Sequence, residues 1–224
     1  MSTNFGSKDG ILIRIMTVDD YKLVKIFMRE HFFIGNPMND ACDEDVQKCN
    51  EKENDEYHID MIKQNTSLLA VKDDDEEQIV GFVLAGAQVP SDLEKSRKEA
   101  DELEENAWKR IAVFNSLIER EANVFKRYGV SEVLYSHITT VHTSMRGKGL
   151  GARLAKALME LGRSKGFPAM AASCSSYYSA RQKQALGMEC IYSHAYDDYK
   201  DINGNVVFKT QAPNTHVRFL AMRL

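Results

Sequence analysis

The densest chemistry in the sequence lies in Val141-His142-Thr143-Ser144-Met145-Arg146-Gly147-Lys148-Gly149-Leu150-Gly151. A run rich in Val, Ile and Thr feeds a glycine-rich turn, and the turn opens a segment whose leucines recur at helical spacing. The first amides of a helix are unpaired and point outward, with the positive end of the helix dipole behind them. Glycines let a large anion approach that backbone closely. Arg146 and Lys148 add positive charge. The segment reads as a pyrophosphate cradle; the plain alternative is a basic helix behind a flexible turn. A nucleotide-triphosphate loop would need GxxxxGK[ST], which the chain lacks. Gly147, Gly149 and Ala152 match the form of the dinucleotide fingerprint GxGxxG/A. That fingerprint follows a first strand and needs an acid about 20 residues on, and Ala171 to Ser173 offers none.

The whole chain bounds what the cradle can belong to. Its 224 residues are 43% apolar and 28% charged, the composition of a globular protein able to build a core without metal or disulfide staples. A net charge of −4 counts against a nucleic-acid partner. The longest apolar run, Ile79 to Ala87, is far short of the ~18 residues of a membrane span. Ile11 to Met16 is broken by Arg14 and has no cleavage-like segment behind it. The expected location is therefore cytoplasmic, with no membrane partner. Cys42, Cys49, Cys174 and Cys190 form no CxxC pair and read as reduced thiols, with no metal site. Two charge runs stand out: Met38 to Asp60 holds nine acids against two lysines, and Arg146 to Lys165 six bases against one acid. Each reads either as a solvated helix face or as a binding feature, a cation-attracting rim and an anion site respectively.

The elements that must position the cradle alternate between strand and helix. Ile11 to Met16 is a strand. Thr17 caps a helix to about Phe33, stopped by Gly35-Asn36-Pro37, and a second helical stretch covers Asp40 to Lys63. Ser67 to Lys72 and Ile79 to Val89 form a hairpin. Pro90 ends it, and Ser91 with Glu94 gives a capping-box signature. Asp92 to Arg127 is too long for one helix and should break in two. Glu132 to Val141 is a strand, and Gly149 to Lys165 a helix with Leu150, Leu154, Leu158 and Leu161 on one face. Then come a strand at Ala169 to Cys174, a helix at Tyr177 to Leu186, and closing strands at Met188 to Tyr196 and Thr215 to Arg223. Asn203-Gly204 forms a turn between the last two. No linker divides the chain.

Arg146, Gly149 and Gly151 fill the pattern [RQ]xxGxG/A, which resembles the coenzyme A loop of the GNAT superfamily of N-acetyltransferases. The order of elements on either side is similar to that family over nearly the whole chain. Cys174-Ser175-Ser176-Tyr177-Tyr178-Ser179-Ala180-Arg181 is similar to the CSSxYSAR segment of insect arylalkylamine N-acetyltransferases of the dopamine-acetylating type. Asp198 to Lys200 and Val206 to Lys209 carry the same likeness. The resemblance implies an α/β, single-domain GNAT fold over residues 1–224: a mixed central sheet flanked by helices, with the glycine-rich loop between the central strand and a helix. It implies acetyl-CoA as co-substrate and a small primary amine as acceptor. It places the diphosphate on Arg146, Gly147, Lys148, Gly149, Leu150 and Gly151. It also places the acetyl and pantetheine contacts on the backbone of Thr139, Thr140 and Val141, and catalytic serines at Ser175 and Ser179. Without it, these serines would read as cap and turn residues.

The departure lies at Asn36. The resemblance implies a Glu base in an EPLN-like segment, and the matching residues read Asn36-Pro37-Met38-Asn39. An amide cannot accept a proton at neutral pH. His142, next to the expected catalytic strand, is chemically suited to base work; its plain reading is a loop histidine bonded to backbone. Three functions follow: an arylalkylamine N-acetyltransferase, a polyamine or other aliphatic-amine acetyltransferase, or a coenzyme-A-binding homologue of weak activity.

Overall fold

The computed structural model describes residues 4–224 apart from 43, 47, 48, 50 and 75. The strands are β1 (Asn4–Lys8), β2 (Ile11–Ile15), β3 (Leu68–Lys72), β4 (Ile79–Gln88), β5 (Val133–Val141), β6 (Ala169–Cys174), β7 (Glu189–Ala195) and β8 (His216–Arg223). The helices are α1 (Tyr21–His31), α2 (Pro37–Asp40), α3 (Glu51–Lys63), α4 (Pro90–Glu102), α5 (Ala107–Ala122), α6 (Val124–Tyr128), α7 (Leu150–Lys165) and α8 (Tyr177–Ala185). The strands form one mixed sheet in the order β1-β2-β3-β4-β5-β6-β8-β7. Every neighbouring pair is antiparallel except β5 and β6, which α7 connects as a crossover helix. No described helix is long and apolar enough to cross a membrane.

The two parallel strands meet only at Leu134–Met170 and Tyr135–Ala171. Past those pairs β5 continues along β4 to Val141, while β6 follows β8 to Cys174. The strands part, and a wedge opens towards the glycine-rich turn. From Ser136 onward β5 therefore has one backbone edge without a neighbouring strand. Against β4, Ser136 pairs with Ala85 and Ile138 with Leu84. His137 is thus an extra residue, a bulge placed where the wedge opens.

Hydrophobic burial fixes which helix covers which face. On one face Leu150, Leu154, Leu158 and Leu161 of α7 and Ala180 of α8 pack with Leu134, Met170, Ala172 and Leu220. The approach of α7 is close: a Cβ on Gly162 would lie 2.9 Å from Leu134 Cδ2 and 2.5 Å from Leu224 Cδ1. On the other face Phe114 and Ile118 of α5 and Phe125 of α6 pack with Tyr135, Ala171 and Phe219. Beside them Val24, Phe27 and Ile62 from α1 and α3 cover Leu69, Phe82 and Ile138.

Several local expectations are corrected. Thr17 caps a short 3-10 turn, Val18–Asp20, ahead of α1. The stretch from Asp40 to Lys63 is not one helix: α2 ends at Asp40 and α3 begins at Glu51, and four positions between them lie outside the described residues. Pro90 opens α4 rather than only ending β4, because a first-turn proline has no helical amide to lose. The capping carboxylate there is Asp92, which accepts from Val89 N at 2.8 Å, and not the Ser91–Glu94 pair. The stretch after it forms three helices, since Asn123 takes a left-handed conformation between α5 and α6.

Candidate active site

The turn after β5 has the geometry of an anion cradle. Gly147 and Gly149 sit at φ 76° and 82°, a region that favours glycine. A Cβ on either would meet no heavy atom within 4 Å, so the space before them is open. Arg153 N is the first amide of α7 to find a helical partner, the Gly149 carbonyl at 3.1 Å. The amides of Leu150, Gly151 and Ala152 are left for a ligand. From α8, Gln182 closes on this helix start. Its Oε1 would lie 2.8 Å from a Cβ on Gly151, and its buried Nε2 has no partner among the described residues. An orphan buried donor beside free amides suits an anionic ligand such as the diphosphate of coenzyme A.

The positive run around the cradle has divided duties. Arg146 Nη2 donates to the His31 carbonyl at 2.8 Å, and Thr140 Oγ1 donates to the same oxygen at 3.1 Å. Both side chains thereby tie β5 and its turn to the C-terminus of α1. Arg153 donates to the Lys8 and Ile11 carbonyls, at 3.0 and 3.2 Å, and fastens α7 to the first hairpin. Lys148 is exposed, and its ammonium has no partner among the described residues. The acidic run is likewise structural in large part. Glu44 accepts from Arg110 at 2.7 Å and from the Ala107 amide at 2.8 Å, while Glu51 and Asp55 pair with Lys25. A surface hollow of about 500 Å³ lies between the end of α6, the start of β7 and the end of β8. Its Arg127 and Arg223 already serve backbone carbonyls of Ile191 and Tyr128.

At the end of β6 the serines separate. Ser176, not Ser175 or Ser179, caps α8: its Oγ accepts from Ser179 N at 3.1 Å. Ser179 Oγ donates to the Ser176 carbonyl at 3.0 Å and also reaches the Cys174 thiol. The Ser175 carbonyl accepts from the buried Tyr196 hydroxyl at 2.7 Å, and its own hydroxyl has no partner among the described residues. Cys174 is 1% exposed, and burial pushes its thiol up.

Asn36 and His142 have local structural duties. Asn36 Oδ1 accepts from Met38 N at 3.1 Å and caps α2. No hydrogen bond joins it to Ser175 or Ser179 among the described residues. His142 Nδ1 accepts from Ser144 N at 3.2 Å, capping the 3-10 turn Thr143–Met145, and its ring lies 4.4 Å from that of His31. The bond from Ser144 supports the plain reading of His142 and leaves Nε2 outside that interaction.

A second polar group, unread in the sequence, fills the α1, α3 and α5 side of the wedge. The bulge residue His137 has its ring 5.6 Å from His58 and 5.2 Å from Tyr57, both on α3. His58 Nδ1 lies 3.1 Å from Tyr21 Oη, and that hydroxyl donates to Asp55 Oδ1 at 2.7 Å. This chain assigns the His58 proton to Nδ1 and leaves Nε2 an acceptor. Burial keeps both imidazoles neutral, pushing His58 down to about 4 and His137 to about 3. Further along the same face lies half-buried Glu119 of α5. Tyr135 Oη donates to its Oε1 at 2.8 Å and Gln88 Nε2 to its Oε2 at 2.9 Å. Burial raises its carboxyl against the pull of those two bonds. Neither donor is charged, so the carboxylate has no cationic partner among the described residues. Only the α5 pattern, with Glu119 beside buried Ile118, could have hinted at this position from sequence.

The family model described as the acetyltransferase (GNAT) family matches residues 36–182. Among solved structures, a mosquito arylalkylamine N-acetyltransferase-like 5b is 26% identical over 96% of this chain and 100% of that one, with a TM-score of 0.85. A Drosophila melanogaster polyamine N-acetyltransferase, which forms N-acetylagmatine, is 27% identical over 96% and 100%, with a TM-score of 0.84. Arylalkylamine N-acetyltransferase 2 from Aedes aegypti is 25% identical over 96% and 99%, with a TM-score of 0.86. The family match runs from the turn before α2, through the cradle, into α8, and so includes both strands that form the wedge. The chain belongs to the GNAT acetyltransferase family.

Proposed function

We propose that the protein moves the acetyl group of acetyl-CoA directly to a small primary amine within a ternary complex. One observation carries this reading. The wedge between β5 and β6 has the anion cradle and α8 on one face and the His58–His137–Glu119 group on the other. Donor and acceptor approaching from opposite faces meet at the bulge. Bound acetyl-CoA supplies a thioester acyl group. The amides of Leu150 to Ala152, with Gly147, Gly149 and Gln182, would hold its diphosphate. The free edge of β5 at Thr139, Thr140 and Val141 would pair with its amide groups as a strand would. The buried, raised thiol of Cys174 is a poor nucleophile, which favours direct transfer over a covalent enzyme intermediate.

The amine must arrive uncharged. An alkylammonium of pKa near 10.4 loses its proton at a cost of roughly 4 kcal/mol near pH 7.4. Neutral His58 and His137 accept a hydrogen bond from the amine and orient its lone pair, but burial keeps them from taking up a second ring proton at that pH. The first proton therefore goes to water. The nitrogen attacks the thioester carbon, the C–N bond forms and the C–S bond breaks. The thiolate takes a proton through Ser179, whose hydroxyl takes one in the same step from a water oriented by Ser175, and the amide nitrogen returns its remaining extra proton to that water.

Glu119 favours an aliphatic amine with further positive charge over an arylalkylamine. Asn36, lacking a carboxylate, favours slow turnover near neutral pH. The test is thiol release from acetyl-CoA with arylalkylamines, polyamines and amino acids as acceptors. Amine-dependent release is expected. Release without amine would show hydrolysis only, and coenzyme A binding with no acceptor would make the chain a binding homologue.

A further inference from the structure

We infer that Glu119 anchors the second cationic group of a two-cation substrate, an α,ω-diamine or an amino-guanidine. The inference rests on the acetyl-transfer reading and names the substrate class of the same site. A carboxylate drawn partly out of water is stable only when paired or well bonded. Glu119 is half-buried, with two neutral donors, Tyr135 Oη at 2.8 Å and Gln88 Nε2 at 2.9 Å, and no lysine or arginine partner among the described residues. A second observation points to a missing donor. Gln88 is 7% exposed, and its Oε1, on the amide that bonds Glu119, has no partner among the described residues. Carboxylate and orphan acceptor together ask for a group rich in N–H and positive charge. An ammonium or guanidinium meets both needs.

Position separates this cation from the reacting nitrogen. Tyr135 holds Glu119 at the tip of its phenol, a full side chain above the backbone of β5. The reacting amine must instead sit at the bulge, where His58 and His137 are neutral and favour the uncharged form. One substrate satisfies both places if its charged end lies at Glu119 and its free amine at His137. A monoamine satisfies only one.

The test compares 1,4-diaminobutane with n-butylamine, which keeps the chain length and lacks the second charge. For the unaltered protein, kcat/KM for the diamine should exceed that for butylamine at least tenfold. Glu119→Gln should lower that preference at least tenfold, through the KM of the diamine. Gln88 can turn its amide over and give its orphan oxygen to the new side chain, so the fold is kept. Glu119→Asp, which restores charge at a shorter reach, should recover part of the preference. Equal losses for both amines, or no diamine preference in the unaltered protein, would overturn the inference. Calorimetry of 1,4-diaminobutane on the coenzyme-A-loaded protein reads the anchor without turnover. If no amine is acetylated but Glu119→Gln weakens that binding tenfold, the transfer reading fails and the anchor stands. Equal binding by both proteins removes the anchor.

Discussion

Gly149 and Gly166 cap the two ends of α7 with nearly the same backbone, φ 82° and 83°, and a Cβ on either would meet no heavy atom within 4 Å. Replacing either with alanine forces an L-residue into the left-handed region at roughly 1–2 kcal/mol. For a chain of this size roughly 2–4 °C of Tm follows each kcal/mol. Both variants should therefore melt roughly 2–8 °C lower. Only Gly149 faces the cradle. There the new methyl stands where an anion oxygen would meet the helix amides, and a lost hydrogen bond to a charged group is worth about 1.5–3 kcal/mol. That corresponds to a roughly 10- to 150-fold weaker Kd for coenzyme A. Thermal melts and calorimetric titration of both variants give the two numbers. A folded Gly149→Ala protein that binds coenzyme A normally would remove the anion from this turn. An equal affinity loss in Gly166→Ala would show that the effect is helix strain.

Ser176→Ala removes the cap of α8 and should lower stability by about 1 kcal/mol, read as a thermal shift. Ser179→Ala should lower kcat more than coenzyme A affinity, as expected of a group used mainly in the transition state; a loss confined to binding would make Ser179 a ligand contact alone. With an arylalkylamine, kcat/KM should rise with pH as free amine replaces ammonium, and Asn36→Glu should raise the neutral-pH value and flatten the profile. A plateau from about pH 7 in the unaltered protein, below the amine's own pKa, would instead reveal a protein base, His142 or His58 first. Burial raises the Glu119 carboxyl in the folded state, so the native protein holds that proton more tightly than the unfolded chain. Its stability contribution is full below the ordinary carboxylate range and is lost as pH rises through the folded value. Glu119→Gln should therefore raise Tm at pH 8 relative to pH 4, and equal shifts at both would contradict this.

What the sequence reveals depends on how local the signal is. The turn of the proposed cradle is legible because its glycines and the helix start are contiguous, and the leucine spacing of α7 orients that helix. Strands β2 to β6 follow from apolar runs bounded by turn residues. Strand β1 (NFGSK) has no such run; it exists through pairing with β2 and through Arg153 binding the hairpin carbonyls. The cap of α8 was misplaced because three serines lie within five residues and only backbone conformation distinguishes Ser176. The histidine pair and Glu119 were illegible for a deeper reason. They come from α3, β5 and α5, and the bulge that turns His137 towards α3 is a register shift against β4, which no short window of sequence encodes.

The two-rung junction between β5 and β6 also leaves the sheet thinly joined at the wedge. The strands on one side, β1 to β5, and those on the other, β6 to β8, are continuous through two residue pairs and the helix that spans them. In the proposed reaction the co-substrate's own amides supply the rungs that the protein omits. Binding then completes the sheet and release interrupts it again. Each turnover becomes a cycle in tertiary structure, with the small molecule serving for part of that cycle as a piece of backbone.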